Sequence, residues 1–348
     1  MKNRTSRAMS RLASRAIAVG AAAAVVFTGA CAPGGGGNSG GGGGGGDAAN
    51  YPTRPIELIV PAKPGGGWDQ TARGLQQVVQ EAKLTDQNVE VINREGGGGA
   101  TGLAELTSND KGNPNTLMIG GLVMIGALKQ AGSPLSITDA TTIATLTSEA
   151  EAVVVRADSP YKTITDVINA YRADPKSVVF GGGSAGGSDQ MLVGLMLKAA
   201  GLTPGDMNYV GYSGGGEATA GILSGDVKVG VSGASEFEGQ IKGGEMRLLA
   251  ISSGKEATVA GKPAPTLKSE GIDVDFVNWR AIFAPPGLSD EQVDGITAFI
   301  TKIHDTEQWK KLVAERGWTD DFRTGDDAAK FVSEAQDQTA SILQELGL

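Results

Sequence analysis

One cysteine and one histidine are all that 348 residues provide of the side chains most used for metal and redox chemistry. A lone cysteine closes no disulfide within the chain, and Cys31 with His304 is too little for a protein zinc site. Past the first fifteen residues there is no run of lysine and arginine, and 39 acidic against 30 basic residues leave a formal net charge of −9. That balance excludes nucleic acid, which needs clustered cations to neutralise phosphates. It leaves a small anion open as a ligand, because backbone N–H dipoles act locally whatever the net charge. No segment of the body is long and apolar enough to span a bilayer. No motif calls for a cofactor.

Glycine is what the chain has in excess, 54 residues of it, and its placement divides the sequence. Lys2, Arg4, Arg7, Arg11 and Arg15 precede a short apolar run, Ala16 to Thr28, and small residues then lead to Cys31. This is an export signal over 1–30. The cysteine that follows resembles a bacterial lipobox, with Thr28 where an aliphatic residue is usual, and predicts lipidation of Cys31. Gly34 to Gly46 is broken only by Asn38 and Ser39, a tether with a reach of about 15–20 Å. Residues 31–50 therefore read as a lipid-anchored linker on the outer face of the cell membrane, holding a monomeric body of roughly 300 residues, enough for two domains.

From Tyr51 onward strand-like and helix-like runs alternate, which predicts an α/β fold with parallel, doubly wound sheets. Strands are expected at 56–61, 89–93, 116–120, 152–156, 177–180, 208–210, 227–231 and 246–251. Helices are expected at 69–83, from Thr101, and at 163–173, 188–200, 217–223 and 236–242, with a largely helical end at 290–304, 307–316 and 327–346. Thr163 or Thr165 is placed to cap its helix, and Asp69 to cap the helix it precedes.

Four times a strand gives way to a helix through a glycine cluster: VPAKPGGGWD at 60–69, VINREGGGGATG at 91–102, VVFGGGSAGG at 178–187 and YVGYSGGGEA at 209–218. Glycine permits close backbone approach, and the following helix presents free N–H groups and its positive dipole end. Ligands of open α/β sheets bind beyond the carboxyl ends of the strands. Two joints in each half of the body therefore predict one cleft between two lobes, closing on a small anion.

Other chemistries are imitated by the same glycines. Gly181-x-Gly183-x-x-Gly186 and Gly97-x-Gly99-x-x-Gly102 match the dinucleotide fingerprint, but Asp206 precedes the next strand and cannot serve as the ribose-binding acid. Gly182-x-Ser184-x-Gly186 matches a nucleophile elbow, so a secreted serine hydrolase using Ser184 and His304 is the alternative function. Against it, His304 sits at the end of a helix and not on a loop after a strand. Trp68 walls the cleft or packs on its helix. Arg280 is either a bidentate carboxylate clamp or an interdomain salt bridge, and Glu236 and Glu238 read as surface helix charges.

Taken in order, VPAKPGGGWDQTAR, NREGGGGATG, GGGSAGGSDQMLVGL, NYVGYSGGGEA, GVSGASEF, RLLAIS and NWRAIFAPPG cover about residues 52–346. The series resembles the extracytoplasmic solute receptors of the tripartite tricarboxylate transporters, the Bug family, and its citrate-type branch in particular. The resemblance implies a two-domain clamshell of the type II periplasmic-binding-protein kind, with 51–155 plus 277–348 as one domain and 156–276 as the other. It implies no catalysis, a di- or tricarboxylate ligand and a membrane permease as partner. The loops it assigns to the ligand are Gly65, Gly66, Gly67, Trp68 and Asp69, then Gly99, Ala100 and Thr101, from the first domain. Ser184, Ala185, Gly186, Gly187 and Ser188, then Tyr212, Ser213, Gly214 and Gly215, come from the second. Gln190 stands near where the family often has histidine.

Overall fold

The computed structural model describes residues 50–348; the export signal, Cys31 and the glycine tether lie outside the described residues. The order of elements is β1 (Ile56–Val60), α1 (Gly67–Glu81), β2 (Val89–Asn93), α2 (Ala100–Ser108), β3 (Thr116–Gly121), α3 (Leu122–Gln130) and β4 (Thr141–Arg156). Then follow α4 (Ile164–Ala173), β5 (Val179–Gly182), α5 (Ser188–Ala199), β6 (Asn208–Gly211), α6 (Gly215–Ser224), β7 (Val229–Gly233), α7 (Ala234–Lys242) and β8 (Met246–Ile251). A small hairpin, β9 (Ala257–Val259) and β10 (Lys262–Ala264), precedes β11 (Val277–Ala284), α8 (Asp290–His304), α9 (Glu307–Glu315), β12 (Thr319–Thr324) and α10 (Gly325–Leu346). Among the described residues no helix is long and apolar enough to cross a membrane.

The sheet is mixed where an all-parallel pattern was expected. β2-β1-β3 is one parallel trio and β6-β5-β7 another. Two antiparallel strands, β11 and β4, join them in a sheet of ten strands, ordered β2-β1-β3-β11-β4-β7-β5-β6 with β12 and β8 also on β4. β4 is the spine, 16 residues long and mostly buried. Its stretch 141–150 pairs with β11, whereas 151–154 pairs with β7, the change falling between Ala150 and Glu151.

This register aims the two trios at each other. β3 is antiparallel to β11 and β11 to β4, so the first trio runs along β4 in its direction. β7 is antiparallel to β4, so the second trio runs back toward the first from beyond Glu151. Their carboxyl ends therefore meet near the middle of β4. Since ligands of such sheets bind past strand carboxyl ends, the cleft lies where Glu149 pairs in register with Asn278, Thr147 with Arg280 and Glu151 with Gly233.

Local chemistry fixes the elements that carry this frame. Thr163 caps α4 and Asp166 reaches back to the Thr163 N–H, a reciprocal box. Ser289 and Gln292 do the same for α8. Leu58, Val60, Leu117, Ile119, Ile282 and Phe283, all no more than 2% exposed, join one core with Phe180, Val229 and Leu192 across the middle of the sheet. A smaller cluster around Val154, Ile222 and Phe237 packs α6 and α7 onto the far part of β4.

Candidate functional site

All four glycine joints do run from a strand into a helix, β1 to α1, β2 to α2, β5 to α5 and β6 to α6. The structure adds two more. Gly121 ends β3 and caps α3, and Gly233 ends β7 and caps α7, with no loop in either case. Each trio thus contributes three helix N-termini to the carboxyl-terminal side of its strands. Six converging N-termini make a concave surface rich in N–H donors, suited to negative charge.

The cleft encloses about 640 Å³, counting its open mouth. Gly66, Gly67, Trp68, Ser184, Tyr212, Ser213, Gly214, Gly215 and Arg280 line it together. The remaining candidates stand behind that surface. Gly65 and Asp69 bond to each other; Gly99 caps α2 and packs on Met124 and Trp68; Ala100 and Thr101 open α2. Gly186 N–H donates to Gln190 Oε1 at 2.7 Å, Gly187 caps α5 and Ser188 is fully buried. Ala185 faces a neighbouring cavity that shares Gly98, Ser184, Tyr212 and Ser213 with the cleft. Trp68 does both things expected of it, walling the cleft and packing in the core at 7% exposure.

Asp69 is not the cap. Gly66 holds that position without a side-chain bond, and Asp69 is the third helical residue. From there Oδ2 accepts the Gly65 N–H at 3.1 Å and Arg73 Nε at 2.9 Å, and Oδ1 accepts Asn93 Nδ2 at 3.1 Å. Burial alone would raise this carboxyl, but the three donors outweigh it and hold it below the usual carboxylate range. Asp189 ties the third joint similarly, accepting the Gly183 N–H at 2.6 Å and the Ser188 hydroxyl at 3.0 Å. Asp69→Ala is expected to cost about 1–3 kcal/mol in urea unfolding, because three donors lose one acceptor. It should also weaken anion binding several-fold through a looser first joint, measured by titration of the same variant.

Across the cleft the joints touch. Lys63 N–H donates to Ser213 O at 3.0 Å, and Lys63 Nζ pairs with Glu217 at 2.5 Å and Glu95 at 3.4 Å. Gln130 Nε2 lies 3.5 Å from Gln190 Oε1. A Cβ on Gly66 would stand 3.2 Å from Gly215 N, and one on Gly126 would collide with Gly186 O. The two sides are closed on each other.

Beneath the glycines lies a charge cluster the sequence did not announce. Arg280 is 1% exposed, and its Nη2 donates to Glu149 Oε1 at 2.5 Å. Both belong to adjacent strands, β11 and β4, so the pair is a buried bridge within the sheet and not one between domains. Burial opposes the Arg280 charge, and Glu149 more than restores it. Glu149 Oε2 also accepts the Ser235 hydroxyl at 2.9 Å, and the Trp318 ring lies 5.5 Å from the guanidinium. Arg280 Nη1 and Asn278 Oδ1, buried and lining the same cleft, have no partner.

Glu236 corrects the surface-charge expectation. It lines the cleft, and burial first, then the nearby Glu149 and Asp189, push its carboxyl up to about 8. Glu238 is half-buried, accepting the Ala260 N–H at 3.2 Å and paired with Lys242 at 3.0 Å. Glu151, fully buried, is likewise raised well above its ordinary value by burial and by Asp189.

The hydrolase constellation does not form. His304 is the chain's only histidine and is not among the residues lining the cleft with Ser184. Its ring stacks on Phe322 at 4.0 Å, with Nδ1 3.0 Å from Asp305 Oδ1 and Nε2 3.1 Å from Asp320 Oδ2.

Two parallel trios joined by antiparallel crossing strands, facing each other over a cleft of helix N-termini, are the fold of periplasmic solute-binding proteins. Solved structures share the fold: BugD, at a TM-score of 0.75 and 19% identity, covers 85% of this chain and 99% of its own. MatC from Rhodopseudomonas palustris, solved with malate, gives 0.73 at 20% identity over 84% of this chain and all of its own. An R. palustris protein solved with adipate gives 0.75 at 20% identity over 85% and 98%. The model of the tripartite tricarboxylate transporter family receptors matches residues 72–348, and the chain belongs to that family. Among its relatives, BugT of Bordetella pertussis is 26% identical over 307 residues, 86% of this chain and 91% of BugT.

Proposed function

We propose that this chain is an exported receptor that captures a small di- or tricarboxylate, citrate-like in kind, and hands it to a membrane permease without altering it. The observation that carries this reading is the Arg280 guanidinium, buried beneath six helix N-termini with Nη1 still unpartnered. An anion entering the cleft supplies the missing acceptor, and the backbone N–H groups of the joints take its remaining oxygens. The carboxylates in the malate and adipate structures of the same fold support the ligand class. In this reading 51–155 with 277–348 and 156–276 are the two closing domains, and Cys31 carries the lipid that keeps the monomer on the outer face of the cell membrane.

Each charge-assisted bond contributes on the order of 1.5–3 kcal/mol. Six or so, less the cost of ordering and closure, give micromolar or tighter binding. Calorimetric titration of the purified body with citrate, isocitrate, malate, succinate, adipate and glutamate is expected to give at least one such isotherm. Silence with every carboxylate, together with labelling of Ser184 by a fluorophosphonate, would return the hydrolase reading.

A further inference from the structure

The buried charges beneath the cleft do not add up to a cationic anion site. Among the described residues Arg280 is the one buried cation there, and Glu149 already neutralises it at 2.5 Å. Asp189 lines the same wall at 3% exposure, and Glu236 faces the cleft from the first turn of α7. If Glu236 were ionised, a polycarboxylate would meet two acidic groups for which the protein offers no further buried positive charge. Like charges this close in a dry site oppose one another by several-fold more than in water.

The Glu236 carboxyl stands at the wall of the cleft. A Cβ on Gly215 would collide with its Oε2, and one on Gly66 would lie 3.7 Å from the same atom. The carboxyl is therefore wedged between the first and fourth glycine joints, one from each trio, where their helix N-termini converge. Two buried atoms of residues that line the same cleft, Arg280 Nη1 and Asn278 Oδ1, have no partner.

We propose that Glu236 meets the ligand as a neutral carboxylic acid, donating a hydrogen bond to one of its carboxylates, so that capture of the anion depends on a proton held by Glu236. The proposal rests on the carboxylate reading of the cleft. The groups that face Glu236 are Glu149 from β4, Asp189 from α5, Arg280 from β11 and the Ser232 hydroxyl from β7. Lys63, Glu95 and Glu217 pair among themselves where the first and fourth joints meet. The α7 dipole favours the ionised form modestly; burial, Glu149 and Asp189 favour the acid and prevail. A bound carboxylate adds one more negative charge and favours the protonated form further.

The complex holds a proton that the free receptor sheds as pH rises through about 8, so affinity is steady below that range and falls above it. The limiting slope is about tenfold per pH unit, or about tenfold between pH 7 and pH 9. Malate and adipate are suitable probes, since their carboxyls are ionised throughout that interval. Titration from pH 6.5 to 9.5 is expected to show this decline for the natural chain and a flat profile for Glu236→Gln, which keeps a neutral donor. Calorimetry at pH 8.5 in phosphate and in Tris should register uptake of roughly half to one proton per ligand in the natural chain.

A flat natural profile with no proton uptake would overturn the proposal while leaving the receptor reading intact. So would an undiminished slope in Glu236→Gln. Absence of binding at every pH would instead overturn the carboxylate reading on which the proposal stands. Should Glu236→Gln fail to fold, the proton count of the natural chain decides alone.

Discussion

Arg280→Ala is expected to abolish measurable carboxylate binding and to cost about 3–5 kcal/mol of stability, because it leaves Glu149 charged and buried without its partner. Glu149 is 2% exposed, and among the described residues Arg280 and the Ser235 hydroxyl serve its oxygens. The two effects separate in a second variant. Arg280→Met with Glu149→Gln removes both charges and keeps comparable volume, so most of the stability should return. Binding should not return, since the guanidinium and its free Nη1 are still missing. Urea unfolding reads the first effect and titration with malate or citrate the second. Wild-type affinity in the double variant would make Arg280 a structural residue and no part of the clasp.

The contrast between the two halves of that result explains what the sequence could and could not disclose. Elements with one exposed face were legible: α1 puts Ala72, Leu75, Val78 and Val79 inward at helical spacing, and β8 was read at its observed limits, Met246–Ile251. Joints with long glycine runs were legible too, because nothing else in a globular chain demands three or four consecutive glycines. β4 was read only from Ala152 onward. The stretch before it, TTIATLTSEAE, is mostly buried yet carries threonines and two glutamates, so it shows neither the apolar run nor the alternation that marks a strand. α3 is apolar nearly all round, LVMIGALKQ, and begins without a polar cap, which hides a helix of nine residues.

These gaps coincide with the site. Residues that break a local rule tend to stand where function requires it, and here Glu149, Glu151 and Arg280 sit in the interiors of central strands. Glu236 carries the same lesson. On α7 it alternates with surface charges and is indistinguishable from Glu238 in sequence; only the loop-free Gly233 junction turns it inward. A serine-glycine pair directly after an apolar run, as in VGVSGASEF, was the available signal.

The second large effect concerns closure itself. Gly126 lies in the middle of α3, where exchanging glycine for alanine ordinarily stabilises a helix by up to about 1 kcal/mol. Here the added methyl would collide with Gly186 O, across the gap between the two trios. Gly186 cannot easily retreat: its φ of +75° is a conformation few other residues take, and its N–H is held by Gln190 Oε1 at 2.7 Å. Gly126→Ala should therefore leave each half folded, with a thermal midpoint at or slightly above that of the natural chain, while the closed form becomes inaccessible. Because the apparent affinity scales with the fraction of molecules able to close, malate or citrate binding should weaken by about a hundredfold or more. Small-angle scattering should show that ligand no longer reduces the radius of gyration. A variant that loses stability and affinity together would mean that α3 and the Gly186 loop belong to one rigid body, with the hinge elsewhere. Stability kept with affinity lost is the outcome the contact between Gly126 and Gly186 requires.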